Sequence, residues 1–270
     1  RKDVTDHGST FTVRKTKKEP ITPAQLIAWN SFSAEEIAFL WTCLDCKFNI
    51  LFTGETASGK TTALNAIALL INQNAKIISI EDTREIILPH KNWTPCVSGK
   101  KSIFELLKDS LRQRPEYIIV GEVRGEEAYA MFQAMSLGHA TLSTFHGNDA
   151  KGVIERLKGP PFNVPNNLLE FLDLIVLVGK IKKLKTTRKC LGIWYLHGPN
   201  KLECLFRWNY KLNFHEKLST NYVIRTLAKK AHTSVLDIKS RIKDRTEYLR
   251  KSASKYVSFK QFEWEIDESF

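Results

Sequence analysis

Residues 54–61 combine two glycines, a lysine and a hydroxyl side chain in the pattern G-x-x-x-x-G-K-[ST]. The pattern is typical of a loop whose backbone N–H groups surround nucleotide phosphates, with the positive end of the following helix adding to the attraction. Lys60 is expected to reach the β- and γ-phosphates, and the Thr61 hydroxyl to bind Mg²⁺. The nucleotide-binding residues predicted in this way are Gly54, Glu55, Thr56, Ala57, Ser58, Gly59, Lys60, Thr61 and Thr62. The alternative is a chance match in a glycine-containing loop.

The residues around the loop favour the nucleotide site. Residues 48–53 form an apolar run that predicts a buried strand. Residues 62–73 place Leu64, Ile67 and Ile71 on one face of a predicted helix. A strand, a glycine-containing turn and a helix N-terminus are the elements that a phosphate-binding loop requires. We therefore predict that the chain binds a nucleoside triphosphate.

Two acidic side chains end predicted strands downstream of the loop. Residues 118–121 form an apolar run that ends at Glu122, a Walker B pattern, and we expect Glu122 to hold Mg²⁺ through a bound water. Glu81 follows the strand predicted over residues 76–80, and we expect its carboxylate to polarise the attacking water. The alternative for Glu81 is that it only caps the turn that follows.

Histidine and arginine side chains supply the remaining polar groups that phosphate hydrolysis needs. His146 follows the strand predicted over residues 140–145 and is expected to sense the γ-phosphate; the alternative is a structural histidine. Of four arginines near strand ends, at least one is expected to contact phosphate or a neighbouring subunit's nucleotide: Arg84, Arg112, Arg114 and Arg124. Arg14 is a candidate for such a contact in trans.

Predicted strands and helices alternate up to about residue 180, which indicates an α/β fold with a mainly parallel sheet and a ligand site at the strands' carboxyl ends. A loop is expected to carry Pro89, His90, Trp93 and Pro95. Residues 181–189 are expected to form a basic loop. Residues 191–195 and 202–208 are expected to pair as antiparallel strands, and two or three helices to close the chain.

The composition sets further limits. A chain of 270 residues, 43% of them hydrophobic, is expected to form one large domain, or one with an appendage. No apolar stretch approaches the roughly 20 residues of a membrane-spanning helix, and the absence of an initial Met suggests a fragment. Five cysteines, an odd number, argue against a disulfide framework and favour the cytosol. Cys43 and Cys46 form a CxxC pair that is either a zinc site or two buried thiols.

The charge is unevenly distributed. Residues 180–270 carry 21 Lys and Arg against 9 Asp and Glu, whereas the preceding residues carry 20 of each. The formal net charge of +12 therefore lies in the last third of the chain. This excess indicates an anionic partner such as lipid headgroups, nucleic acid or an acidic protein surface. The alternative is a solvated helical surface.

Four sequence boxes in this order resemble the secretion ATPase superfamily, which includes motors of type II and type IV secretion, type IV pili and the archaeal flagellum-like filament. They are the Walker A box at residues 54–61, the aspartate box at 80–85, the Walker B box at 119–125 and the histidine box at 138–146. Residues 88–93, 111–115 and 162–165 look most like the archaeal branch. Residues 8–15 resemble the end of that branch's N-terminal domain. The four-cysteine zinc motif of many bacterial type II members is absent.

The resemblance implies a RecA-like P-loop NTPase core over residues 21–212, with a small basic C-terminal helical appendage over residues 213–270. Residues 1–20 would be the trailing strand and linker of a largely missing N-terminal domain. The resemblance implies ATP and Mg²⁺ as cofactors, a homo-hexamer of the full-length protein, and a cytoplasmic position at the inner face of the cell membrane beside a membrane platform protein. The family roles fall on Lys60 and Thr61 (phosphate and Mg²⁺), Glu81 (catalytic carboxylate), Glu122 (Walker B), His146 (histidine box), and Arg14 and Arg84.

Three hypotheses follow. The first is an Mg²⁺-dependent ATPase motor that drives pilus or archaeal filament assembly, or type II/IV-like secretion, with its basic region facing an acidic lipid surface or the platform protein. The second is a nucleic-acid translocase, which the basic C-terminal third fits but for which no aromatic-studded basic groove is evident. The third is a scaffold that binds ATP without hydrolysing it.

Overall fold

A computed structural model describes residues 19–182, 186–198 and 201–255. The strands are β1 (Ile50–Gly54), β2 (Ile77–Glu81), β3 (Trp93–Val97), β4 (Tyr117–Val123), β5 (Ala140–His146), β6 (Leu174–Lys182), β7 (Thr186–Leu196), β8 (Leu202–Asn209) and β9 (Phe214–Lys217). The helices are α1 (Pro23–Ala28), α2 (Ala34–Asp45), α3 (Lys60–Ala68), α4 (Ile103–Leu111), α5 (Glu127–Ser136), α6 (Ala150–Lys158), α7 (Asn166–Leu169), α8 (Asn221–Lys230) and α9 (Val235–Ser254). The predicted strand at residues 9–14, together with Arg14, lies outside the described residues.

The strands form one sheet in the order β3-β2-β4-β5-β1-β6-β7-β8-β9. The first six of these strands pair in parallel, and β7, β8 and β9 extend the sheet by antiparallel pairing. This architecture confirms the predicted α/β fold. Because β4, β5 and β1 are neighbours, their carboxyl ends meet at one edge, and Gly54 pairs with His146 across β1 and β5.

Apolar side chains cover both faces of the sheet. On one face, α1, α2 and α3 share a core with α8 and α9. Ile238 and Leu249 of α9 are fully buried in this core. On the other face, α5 and α6 pack against β4 and β5. The burial of all residues of β1 and β2 explains why these strands have continuous apolar sequences instead of alternating ones.

The segment after residue 212, predicted to be helical, begins with strand β9 and then forms two helices. Charged pairs connect it to α2. Arg245 Nη2 lies 2.6 Å from Asp45, and the buried His215 lies 3.0 Å from the buried Glu36. Independently of these pairs, apolar side chains of α8 and α9 share one hydrophobic core with α1 and α2. The domain boundaries at residues 20 and 212 stay predictions.

Two predicted loops are wrong. Residues 93–97 form strand β3, where Trp93 Nε1 donates a hydrogen bond to Ser79 Oγ at 2.9 Å. β3 is an edge strand, so Pro95 is tolerated although it has no N–H to donate. Residues 181–189 are mostly strand, because β6 and β7 form a hairpin there. The many charges in this segment obscured the strand pattern.

Two further observations concern cysteines and membranes. Cys43 and Cys46 are both buried, in α2 and at its C-terminal end. Over the described ranges, no group of three or more His, Cys, Asp or Glu side chains is arranged to hold a metal ion. Within the same ranges, no helix is both long enough and apolar enough to span a bilayer.

Candidate functional site

The loop between β1 and α3 has the backbone of a phosphate-binding loop. Gly54 has a φ of 152° and Gly59 a φ of 100°, backbone conformations that residues with a Cβ rarely adopt. Gly59 is the N-cap of α3, and no side chain caps this helix terminus. The first N–H groups of α3 are therefore available to an anion, and the helix dipole favours negative charge there.

Lys60 lies inside this loop and is 93% buried, at a relative exposure of 7%. Its Nζ donates hydrogen bonds to the carbonyl oxygens of Gly54 (3.0 Å) and Glu55 (2.9 Å) and lies 3.3 Å from His146 Nδ1. Burial lowers the pKa of Lys60, and the nearby Lys180 lowers it further, whereas Glu122 raises it. The ammonium group thus lies where the phosphates of a bound nucleotide are expected.

Glu122 and His146 meet beside this lysine. A register shift in the pairing of β4 with β5 falls between Val120 and Val123, and such irregularities often redirect a side chain at a functional site. Glu122 Oε1 lies 2.6 Å from His146 Nε2, and Arg124 contacts Glu122 Oε2. Burial and the charge of Lys60 lower the pKa of His146, while Glu122 opposes this effect.

The carboxylate predicted at Glu81 has a different environment. Glu81 is only 3% exposed, and its Oε1 accepts hydrogen bonds from the backbone N–H groups of Glu85 (2.9 Å) and Ile86 (3.0 Å). This is the turn-capping geometry that was the alternative for Glu81. Burial raises the pKa of its carboxyl group. Arg84 lies with its guanidinium 5.1 Å from the centre of the Trp93 ring.

A cavity of about 640 Å³ collects most of the predicted site residues. Its lining includes Thr56, Ala57, Ser58, Gly59, Lys60, Thr61, Thr62, Glu122, Arg124, Thr144 and His146. Gly54 and Glu55 line an adjoining cleft beside His146. Glu81 and Arg84 are not among the residues that line this cavity, and the roles expected for them stay predictions. The acidic side chain of the aspartate box that does line it is Glu85.

Sequence reasoning missed several other cavity residues. The apolar lining of the cavity includes Ile21, Leu26, Trp29 and Phe32, from α1 and its flanking segments. Arg188 of β7 also lines the cavity. Trp29 is 42% exposed in the structure, which is unusual for a tryptophan, and this exposure is not visible in the sequence. Arg188 lies in the segment that was expected to be a loop, so its position required knowledge of the sheet.

The polar lining fits Mg²⁺ as a partner of a triphosphate. Glu122 Oε1 is buried; His146 Nε2 lies 2.6 Å from it, but among the described residues neither this nor any other group is oriented to form a hydrogen bond with it. Magnesium sites typically combine one or two carboxylates with phosphate oxygens and water. Glu122 and the Thr61 hydroxyl would therefore hold the ion together with the phosphates.

The sequence profile of a family described as "Type II/IV secretion system protein" matches residues 4–259. The chain belongs to this family. The resemblance stated from the four sequence boxes is thereby confirmed. The names of similar proteins refer to different processes.

Several relatives illustrate this range. The uncharacterized protein MJ0900 of Methanocaldococcus jannaschii is 41% identical over 220 residues, 76% of this chain and 40% of that protein. The uncharacterized protein MJ1287 of the same organism is 39% identical over 261 residues, 91% of this chain and 97% of that protein. The conjugal transfer protein TrbB of Rhizobium radiobacter is 30% identical over 196 residues, 69% of this chain and 61% of that protein.

Two solved structures are similar as well. The VirB11 ATPase of the Brucella suis type IV secretion system, in complex with sulphate, has a TM-score of 0.55 and 28% identity, covering 60% of this chain and 52% of that chain. The pilus retraction motor PilT with bound ADP has a TM-score of 0.56 and 26% identity, covering 70% of this chain and 56% of that chain. The chain thus spans about half of each solved structure and 40% of MJ0900.

Proposed function

We propose that this chain is the ATP-hydrolysing part of a motor that powers type IV pilus or archaeal filament assembly, or type II/IV-like secretion. The observation that carries the proposal is the convergence of Lys60, Glu122 and His146 on the loop at residues 54–61. Family membership supports it, since similar structures are described as an ATPase and as a pilus motor. A cavity lined by both polar and apolar side chains suits a nucleotide, which has a charged and an aromatic part.

Within the proposed site each side chain has a distinct task. The loop N–H groups and Lys60 would bind the phosphates, for which the Nζ must leave the carbonyl oxygens of Gly54 and Glu55. Trp29, which lines the cavity, would stack on the base. Mg²⁺ would neutralise phosphate charge when bound by Thr61 and Glu122. Because His146 lies next to Lys60 and Glu122, it would respond to the γ-phosphate.

We assign the water-polarising carboxylate to Glu85 in preference to Glu81. Glu85 lines the cavity, whereas one oxygen of the Glu81 carboxylate accepts two backbone hydrogen bonds in the turn. A general base must come within hydrogen-bond reach of the water that it activates. Glu81 would then shape the turn that carries Glu85.

The assembly is proposed from the family resemblance. The full-length protein would act as a homo-hexamer at the inner, cytoplasmic face of the cell membrane, with a membrane platform protein as its partner. Arg14, outside the described residues, would contact the nucleotide of a neighbouring subunit. The basic C-terminal third would face an acidic lipid surface or the platform protein.

The test is phosphate release from ATP and Mg²⁺ by the purified chain. Lys60→Ala and Glu122→Gln should each lower the rate at least about 100-fold, since both act on transition-state charge. Lys201→Ala, which removes a surface cation away from the cavity, is the control and should retain the wild-type rate. Equal rates for wild type, Lys60→Ala and Glu122→Gln would refute the proposal. Nucleotide binding without phosphate release would favour a scaffold.

A nucleic-acid translocase is the second candidate, because the relative TrbB is described as a conjugal transfer protein and the C-terminal third is basic. Stimulation of ATP hydrolysis by DNA, with a steep loss of the effect as salt rises, would support this candidate. A rate that DNA does not change would favour the protein motor, for which nucleic acid is not a partner.

A further inference from the structure

The hairpin of β6 and β7 extends beyond the end of β1 and lies against the phosphate-binding loop. The pairing of β1 with β6 ends at Thr53 opposite Leu177, and the hairpin continues to Lys182. Val178 lies so close to Gly54 that a Cβ on the glycine would collide with its carbonyl oxygen. The hairpin is therefore in direct contact with the loop that would bind the triphosphate.

Two cations on this hairpin donate hydrogen bonds to the loop. Lys180 and Arg188 are directly opposite each other in the antiparallel pairing. Lys180 Nζ donates to the carbonyl oxygen of Thr56 at 3.0 Å, and Arg188 Nε donates to that of Ala57 at 3.3 Å. Placing two like charges opposite each other is unfavourable unless both have acceptors, which the loop supplies.

Together with Lys60, these cations contact four successive carbonyl groups. Lys60 donates to Gly54 and Glu55, and the hairpin cations donate to Thr56 and Ala57. In a trans peptide the C=O and the next N–H point in opposite directions. Holding the carbonyls of Thr56 and Ala57 toward the hairpin therefore directs the N–H groups of residues 57 and 58 away from it, and the Ser58 N–H donates to the Glu55 carbonyl oxygen at 3.2 Å within the loop.

Arg188 has further hydrogen-bonding capacity at the cavity. It lines the cavity, and its Cδ would lie 3.0 Å from a Cβ on Gly59, the N-cap of α3. Within the described part of the chain, only its Nε has an acceptor. A guanidinium has five N–H donors, and its geometry suits phosphate oxygens.

We propose that Lys180 and Arg188 are positioning residues of the triphosphate site: both hold the loop in its anion-binding shape, and Arg188 adds a positive charge in cis. This inference rests on the proposed function, because it requires a triphosphate in the cavity. If so, part of the basic charge found from residue 180 onward binds the nucleotide and is not available to an external partner.

The experiment measures the affinity for a non-hydrolysable ATP analogue, and then kcat and KM for ATP. Lys180→Met and Arg188→Met remove the charges and keep apolar bulk, and the double variant should bind about 10- to 100-fold more weakly, since hydrogen bonds from charged groups are at stake. KM should rise more than kcat falls. Lys180→Arg and Arg188→Lys should restore most of the affinity.

The matched control is Arg207→Met, which removes an exposed cation paired with Glu216 elsewhere in the same sheet. It should leave affinity unchanged. Affinity unchanged in the double variant, or no better in the charge-conserving variants than in the methionine variants, would overturn the inference. The inference would also be overturned if the double variant, measured without nucleotide, had a lower melting temperature that by itself accounted for its weaker binding. A wild-type chain that binds no nucleotide would refute the proposed function as well, so the two failures are distinguishable.

Discussion

Replacing Gly54 by alanine tests whether the backbone of the loop is fixed by its neighbours. A Cβ at Gly54 would lie 2.6 Å from Ser58 Oγ, 3.2 Å from the carbonyl carbon of Val178 and closer still to that carbonyl oxygen. A carbon and an oxygen normally approach to about 3.3 Å. The Ser58 hydroxyl would therefore have to move by about 0.7 Å, the loop and β6 would have to separate by more than that, and the φ of 152° would remain strained.

Backbone strain of this kind costs about 1–3 kcal/mol and overpacking about 1–3 kcal/mol, so we expect a loss of about 4 kcal/mol in the free energy of unfolding. At roughly 2–4 °C per kcal/mol, the melting temperature should fall by about 10 °C. The assay is thermal unfolding followed by circular dichroism, together with titration of the ATP analogue, whose binding should be lost.

Gly99→Ala is the control for this substitution. No atom lies within 4 Å of a Cβ at Gly99, and its φ is not positive, so the melting temperature should stay within about 2 °C of the wild type. A Gly54→Ala variant that melts like the control and binds the analogue normally would refute the reasoning.

Three further predictions concern the cavity and its surroundings. Trp29→Ala should raise KM for ATP about 10-fold and leave kcat within about 2-fold, because stacking on the base contributes equally to the ground and transition states. The free energy of unfolding of Glu81→Gln should increase relative to that of the wild type as the pH rises above 4.5. Burial raises the pKa of the Glu81 carboxyl group in the folded state, so its ionisation destabilises the folded wild type, whereas glutamine does not ionise. The pKa of His146, measured by NMR, should lie below 6.5 and should rise in Lys60→Met, which removes one of the charges that lower it.

Each of these predictions has a result that would contradict it. Trp29→Phe, which keeps an aromatic ring, should restore the KM for ATP, and an equal rise in KM in the alanine and phenylalanine variants would argue against stacking. For Glu81, urea unfolding at pH 5 and pH 8 should give different stability gains for the glutamine variant, and identical gains would mean that the carboxyl group is not perturbed. For His146, a pKa above 6.5 would show that Glu122 outweighs burial and Lys60.

The fold and half of the site could be predicted from the sequence because the patterns that indicate them lie in short, continuous segments. The loop at residues 54–61 needs particular residues at particular spacings, and Glu122 and His146 each end a strand with a clear apolar pattern. Since the carboxyl ends of neighbouring parallel strands share an edge, their meeting with Lys60 could be expected.

The remaining residues depend on contacts between distant segments. Glu81 and Glu85 are four residues apart, and only the turn decides which carboxylate faces the cavity. Trp29 joins the site because α1 packs beside α3. Arg188 joins it because an antiparallel strand follows β6, and nothing in a stretch of lysines and threonines indicates that pairing.

Amide hydrogen exchange is the sharpest test of whether a triphosphate binds at residues 54–61. Adding Mg²⁺ and a non-hydrolysable ATP analogue should slow exchange of the N–H groups at residues 55–62 and at the start of α3. Lys60→Ala should abolish this protection. Exchange at these amides that the analogue leaves unchanged, or protection confined to another part of the chain, would contradict the account.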